Sequence, residues 1–369
     1  MATTTNATGT PVNPTKGATA GPRFSLMGWL KLNAVDLVTM ALMGALGLGI
    51  YEAPPAPSRS FPVNSIDGNI VYPEFAYPLR REIVPIWAAA LIAFFAPFLF
   101  FCLFQARRRS LEDLFTTTMG LLKSLITAAV FQVWIKWLIG GLRPHFYEVC
   151  KPNVPINGPQ RGNGFQGIMY DRSVCTGDKN QIDDSLESMP SGHSTAAFAG
   201  LIYLSLYFNA QLKVMSAHNP AYWTMILFFA PILGACLIAG ALTIDEFHNW
   251  YDVVAGAFIG TATAFVAFRQ TFASVWDFRF NHLLLPRGGP AYFEYTFHAD
   301  AVSSQLPFTR SGGWGVGARE AANGAPFDAS GMMGGAGAGA GGYGMGQYGN
   351  GSGMTHRTAV GGPGADARV

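Results

Sequence analysis

The stretch IVPIWAAALIAFFAPFLFFCLF, Ile83 to Phe104, carries no charged side chain over its whole length. A helix rises about 1.5 Å per residue, and a bilayer core of roughly 30 Å takes about 20 apolar residues to cross, so this run reads as a membrane span. The whole chain agrees. Hydrophobic residues make up 50% of the 369 and charged residues 12%, against a usual charged share of about 25% for soluble domains. The net charge of +2 has no clustered basic surface behind it, so nucleic acid is not an expected partner.

Working outward from that run, apolar segments place further spans at Val35 to Tyr51, Met119 to Ile139, His193 to Leu212, Tyr222 to Ile244 and Trp250 to Phe268. The expected fold class is therefore all-α, a polytopic membrane protein of about six helices spanning residues 31–275. Residues 1–30 and 276–369 are read as flanking segments. The first 22 residues are rich in Thr, Gly, Pro and Ala, and the chain from about Ser311 runs through GGAGAGAGGYGMGQYGNGSGM; neither composition can bury a core, and both are expected to be disordered. No short apolar stretch ending in a small-residue cleavage site opens the chain, so the first span itself is expected to direct insertion.

Orientation follows from Lys and Arg in the short flanks. Lys16, Arg23 and Lys31 precede the first span, Arg107, Arg108 and Arg109 follow the second, Lys213 follows the fourth, and Arg269 and Arg279 follow the sixth. These places share one side, which the positive-inside rule makes cytoplasmic together with both termini. Arg80 and Arg81 lie on the other side and count against it.

On that other side, three polar clusters adjoin three span ends: KWLIGGLRPHF (Lys136 to Phe146), SMPSGHS (Ser188 to Ser194) and DEFHNWYD (Asp245 to Asp252). Lys136 and Arg143 are about two helical turns apart, and two fixed cations suit a phosphate; a snorkelling lysine and an interfacial arginine would look the same. In PSGHS, free backbone N–H groups and the positive end of a helix dipole gather where an anion would bind; Ser188 or Ser191 acting only as a cap is the plainer account. His248 and Asp252 are four apart, so a carboxylate reaching one imidazole nitrogen would leave the other free to attack; acidic residues at a helix start are also simply favoured by the dipole. Singly each cluster has an ordinary explanation. Their arrival on one membrane face suggests one site.

Taken together, Lys136, Arg143 and Pro144, then Pro190, Ser191, Gly192 and His193, then His248 and Asp252 resemble the type-2 phosphatidic acid phosphatase/haloperoxidase superfamily, and in particular its integral-membrane lipid phosphate phosphatases. The resemblance covers roughly residues 30–275. It implies a helical bundle and a phosphomonoesterase that works without metal or other cofactor. His248 would attack phosphorus to form a phosphohistidine, Asp252 would orient it, and His193 would protonate the leaving oxygen. Lys136, Arg143, Ser191 and the Gly192 backbone would hold the phosphate oxygens. The implied partners are the bilayer and a phosphorylated membrane lipid. Phosphatidate, diacylglycerol pyrophosphate, lysophosphatidate, sphingoid phosphates and polyprenyl diphosphates all suit a site at headgroup depth, on the lumenal or extracellular face.

One position departs from the family pattern. Where the third motif begins Ser-Arg, this chain has Ala241 and Leu242. Loss of a bidentate guanidinium implies a few kcal/mol less transition-state stabilisation, on the order of a hundredfold in rate. Arg172 and Lys179, in the long loop on the same face, are the candidate substitutes. A catalytically impaired, lipid-binding member is accordingly the second reading. A transporter, suggested by Asp36 and Lys123 within or near spans, lacks repeated halves, and the soluble vanadate-using peroxidases do not account for six spans. Cys102 and Cys236 fall in spans; Cys150 and Cys175 share the long loop, where a bridge and two free thiols are both open.

Overall fold

The computed structural model describes residues 24–55, 60–65, 67–155, 159, 161–216 and 219–287; the expectations for residues 1–22 and for the glycine-rich tail lie outside them. Among the described residues six long helices form the body: α2 (Ala34–Tyr51), α3 (Ile86–Arg108), α4 (Leu111–Ile139), α7 (Gly192–Leu212), α8 (Tyr222–Ile244) and α9 (Trp250–Thr271). Short helices α1 (Leu26–Leu32), α5 (Phe146–Cys150) and α6 (Lys179–Ser185) lie between or before them, and β1 (Phe61–Pro62) pairs antiparallel with β2 (Met169–Tyr170).

Five of the six long helices are long and apolar enough to cross a membrane. The sixth, α7, falls short in hydropathy for a structural reason. It stands at the centre, packed by α3, α4, α8 and α9, and 18 of its 21 residues are buried. A helix enclosed by protein meets no lipid, so Ser194, Thr195, Ser205, Asn209 and Gln211 can be carried on it when partnered. Ser194 Oγ donates to the Val253 carbonyl at 2.7 Å and Ser205 Oγ to that of Phe228 at 2.7 Å. Phe101, Leu121, Tyr203, Tyr207, Phe208, Phe268 and Phe272 fill the core around it. The chain is thus a helical multi-pass membrane protein.

Small residues bring α9 onto α7. A Cβ on Gly256 would lie 2.9 Å from Thr195 Oγ1, and one on Gly260 would lie 2.7 Å from the Ala199 nitrogen. Two glycines four apart let the backbones approach closely, as in membrane helix pairs generally. That contact sets the spacing between the two helix starts that carry His193 and Asp252.

The packed body runs beyond both edges expected from the apolar pattern. Before residue 31, Ser25 Oγ caps α1 by accepting from the Gly28 N–H at 3.2 Å, and Trp29 Nε1 donates to Thr116 Oγ1 at 3.1 Å. After residue 275, the Ala273 N–H donates to the Leu283 carbonyl at 2.9 Å and the Leu285 N–H to that of Thr271 at 2.9 Å. These contacts join segments that local hydropathy cannot link. Asp36 pairs with both Lys123 and Arg287, so the intramembrane charges that raised the transporter reading satisfy each other.

Candidate active site

Three backbone joints assemble one end of the bundle. The Gly140–Gly141 turn after α4 accepts from the Met189 N–H at 3.2 Å and the Ser188 N–H at 3.1 Å, and the Gly141 N–H donates to the Leu186 carbonyl at 2.8 Å. Gly140 adopts φ +52°, a left-handed backbone that suits glycine. The Ser191 N–H donates to the Asp252 carbonyl at 3.0 Å, tying the start of α7 to the start of α9. Gln132 Nε2, from α4, donates to the Pro190 carbonyl at 3.0 Å. The three polar clusters are therefore neighbours in space.

His248 and Asp252 are almost wholly buried. Their closest approach, Nδ1 to Oδ2, is 3.6 Å, just beyond hydrogen-bond length. The same Oδ2 accepts from Ser188 Oγ at 2.5 Å, from the Asn249 N–H at 3.0 Å and from Asn249 Nδ2 at 3.3 Å. Asn249 and Asp252 thus form a capping pair at the start of α9, which fixes the carboxylate behind the imidazole. The His248 N–H donates to the Leu242 carbonyl at 3.1 Å. Burial, with the charges of Arg143 and Lys136 behind it, holds the His248 imidazole well below its ordinary pKa, Asp252 opposing. A neutral ring keeps a lone pair available for attack.

His193, buried in the first turn of α7, faces His248 with 6.3 Å between ring centroids. Its Nε2 has no hydrogen-bond partner among the described residues and lies 3.7 Å from Glu82 Oε1. First-turn amides such as that of Gly192 have no intrahelical acceptor and remain available to an anion. Ser191 Oγ accepts from the Ser194 N–H at 3.4 Å, the capping role that was the plainer account of this cluster.

Arg143 is buried beside the site. Its Nη2 meets Asp184 Oδ1 at 2.6 Å, its Nε donates to the Asp184 carbonyl at 3.0 Å, and its guanidinium lies 5.6 Å from the Phe247 ring centroid. Lys136, in the last turn of α4, has no ion-pair partner among the described residues, though Arg143, Asp184, Glu187 and Asp252 are within electrostatic reach. The candidate substitutes for the motif arginine do not join this group: Arg172 pairs with Asp183 at 2.9 Å on the cap, and Lys179 is exposed. Leu242 itself is fully buried.

A cap covers this end, with Phe61, Val63, Phe146, Val149, Tyr170 and Ile182 as its core. Cys150 and Cys175 are joined by a disulfide within it, which settles the bridge left open by the sequence. Glu82 and Gln132 are residues of this region that sequence reasoning passed over. Glu82 offers no local signal, because it lies in a different loop from every motif. Ser188 looks like a cap in sequence, and its bond to Asp252 needs the fold; Asn249, three before Asp252, carries a capping pattern.

Comparison with known proteins follows the same residues. Residues 117–276 match the PAP2 superfamily. The chain is 32% identical to lipid phosphate phosphatase 2 of Arabidopsis thaliana, covering 69% of this chain and 80% of that protein. Lipid phosphate phosphatase 1 of the same plant is 32% identical over 55% of this chain and 59% of its own length. Diacylglycerol pyrophosphate phosphatase 1 of Saccharomyces cerevisiae is 33% identical over 46% of this chain and 57% of its own length. No solved structure matches the chain.

Proposed function

The chain belongs to the PAP2 superfamily, and from that premise we propose that it is a metal-independent lipid phosphate phosphatase working through a phosphohistidine at His248. The observation that carries the reading is the facing pair of imidazoles, 6.3 Å apart between centroids, with Asp252 behind one of them. A phosphoryl group fits between a nucleophile and an acid so placed. His248 Nε2 attacks phosphorus while the ester P–O bond breaks, and the proton of His193 goes to the leaving oxygen. Water then attacks the phosphohistidine and gives its proton to His193, releasing orthophosphate. Lys136, Arg143, Ser191 and the Gly192 backbone stabilise charge on the equatorial oxygens.

The related phosphatases support a lipid phosphate as substrate, phosphatidate or diacylglycerol pyrophosphate among them. We assign the site to the lumenal or extracellular face and the termini to the cytoplasm. Lys31, Arg107, Arg108, Lys213 and Arg269 at the opposite helix ends support that orientation, as does a disulfide on the site side. Leu242 in place of the motif arginine, with Arg143 already paired to Asp184, favours a second reading, a headgroup-binding member with impaired chemistry.

Phosphate release from phosphatidate and diacylglycerol pyrophosphate in mixed micelles, with EDTA present, separates the two. Release that survives EDTA and disappears in His248→Ala is expected. Release that needs a divalent cation, or persists in His248→Ala, overturns the proposed chemistry. A silent wild type beside an active Leu242→Arg gives the second reading.

A further inference from the structure

Glu82 belongs to the loop before α3, far in sequence from every motif residue, yet its Oε1 stands 3.7 Å from His193 Nε2. Its position is held from both sides. Arg80 Nη1 donates to the Ile244 carbonyl at 3.0 Å and the Ile83 N–H donates to Asp245 Oδ2 at 3.1 Å, so two anchors on the end of α8 flank it. His193 Nε2 is buried and has no hydrogen-bond partner among the described residues. A carboxylate turned toward a phosphate site opposes anion binding, so its presence calls for an offsetting contribution.

We propose that Glu82 is a positioning residue for His193, favouring a proton on Nε2 and so preparing the imidazole to protonate the leaving oxygen. This rests on the phosphatase reading. At 3.7 Å the carboxylate attracts the proton without capturing it in a short hydrogen bond, so Nε2–H stays free for the leaving group. In the second half-reaction the same carboxylate makes His193 a better acceptor of the proton from the attacking water. Burial raises the Glu82 carboxyl above its usual range, with Arg143 opposing and Asp245 and Asp184 adding to it. The Ile86 N–H at the start of α3 also bears on this carboxyl, which gives the purely structural alternative of a helix cap.

Leaving-group dependence separates the two roles. A lipid alkoxide needs a proton to depart, whereas p-nitrophenolate does not. Glu82→Gln is expected to lower kcat/KM, which reports only the steps up to departure of the leaving group, about ten- to a hundredfold on phosphatidate and to leave kcat/KM on p-nitrophenyl phosphate within about threefold. His193→Ala follows the same pattern, Glu82→Gln/His193→Ala is no slower than His193→Ala, and Glu82→Asp recovers part of the loss. An equal loss on both substrates, no loss on either, or additive losses overturns the proposal.

A second readout needs no turnover. The His193 Nε2 signal in a 15N-histidine spectrum moves in Glu82→Gln and stays fixed in Lys179→Gln; an unmoved signal in both refutes the contact. A wild type silent on every phosphate ester, or an active His248→Ala, counts against the phosphatase reading and leaves the spectral test of Glu82 standing.

Discussion

Two lysines sit near opposite ends of the bundle and are treated differently. Lys213, just past α7, is fully buried, and its ammonium donates to the Phe278 carbonyl at 2.7 Å and Asn281 Oδ1 at 2.5 Å, with His282 Nδ1 at 2.8 Å. Lys136, at the end of α4, has no ion-pair partner among the described residues. The contrast extends to their surroundings. Near Lys213, Arg108 meets Asp113 at 2.6 Å, and the buried atoms without a partner among the described residues are a phenol and amide nitrogens. Near Lys136 they are His193 Nε2, His248 Nδ1 and Asp252 Oδ1. Charges that fasten a fold are satisfied within it, while charges and titratable atoms left open at one end wait for something that arrives.

The strongest way to break this contrast is to remove the open imidazole. His248→Ala is expected to lower phosphate release by about a thousandfold or more, since nucleophile and acid act as a unit, with folding retained; initial rates beside size-exclusion profiles check both. Next comes the helix contact that sets the two starts. Gly260→Leu forces α9 off α7, because even a Cβ would lie 2.9 Å from Phe198 Cβ, so turnover and the thermal unfolding midpoint in detergent both fall. Ser194→Ala is milder in both.

Exchanging the lysines themselves sharpens the comparison. Lys136→Ala should reduce kcat/KM about a hundredfold with little change in unfolding midpoint. Lys213→Met should orphan its acceptors, costing about 2–3 kcal/mol or roughly 5–10 °C in midpoint, with kcat per folded molecule unchanged. The reverse pattern would remove the distinction between the two ends.

The smallest effect is in pH. The fold keeps His248 below its ordinary pKa, so the unfolded chain binds a proton that the folded chain excludes. Stability therefore falls as pH drops below about 6.5, by at most about 1.4 kcal/mol per pH unit for this one group. Glu82 and Glu187, both raised by burial, act in the opposite direction, their contribution shrinking as pH rises through the carboxylate range. The difference between wild type and His248→Gln isolates the histidine: the variant should lose less between pH 7 and pH 5 in unfolding measurements.

Much of the architecture was legible because lipid imposes long apolar runs, and Ile83 to Phe104 already read as a membrane span. The interior position of α7 was not, since hydropathy measures composition and cannot tell enclosure by protein from exposure to lipid. The fold-back of residues 276–287 onto Lys213 was hidden for a related reason: its bonds join partners remote in sequence. Within the candidate site, spacing placed three polar clusters on one face and the family resemblance named the motif residues in them, which the structure brings to one end. Glu82 and the Ser188 contact to Asp252 could not be read that way, because each depends on which loop meets which helix end. Leu242 was visible as a departure, and the structure buries it completely.

Trapping the phosphohistidine at His248 tests the proposed chemistry at its covalent step. Purified protein mixed with phosphatidate carrying a radiolabelled phosphate and quenched in alkali, where phosphohistidine survives, should hold label on the peptide containing His248 and none in His248→Ala. Turnover with no trapped label, or label on His193 or another residue, would exclude His248 as the nucleophile.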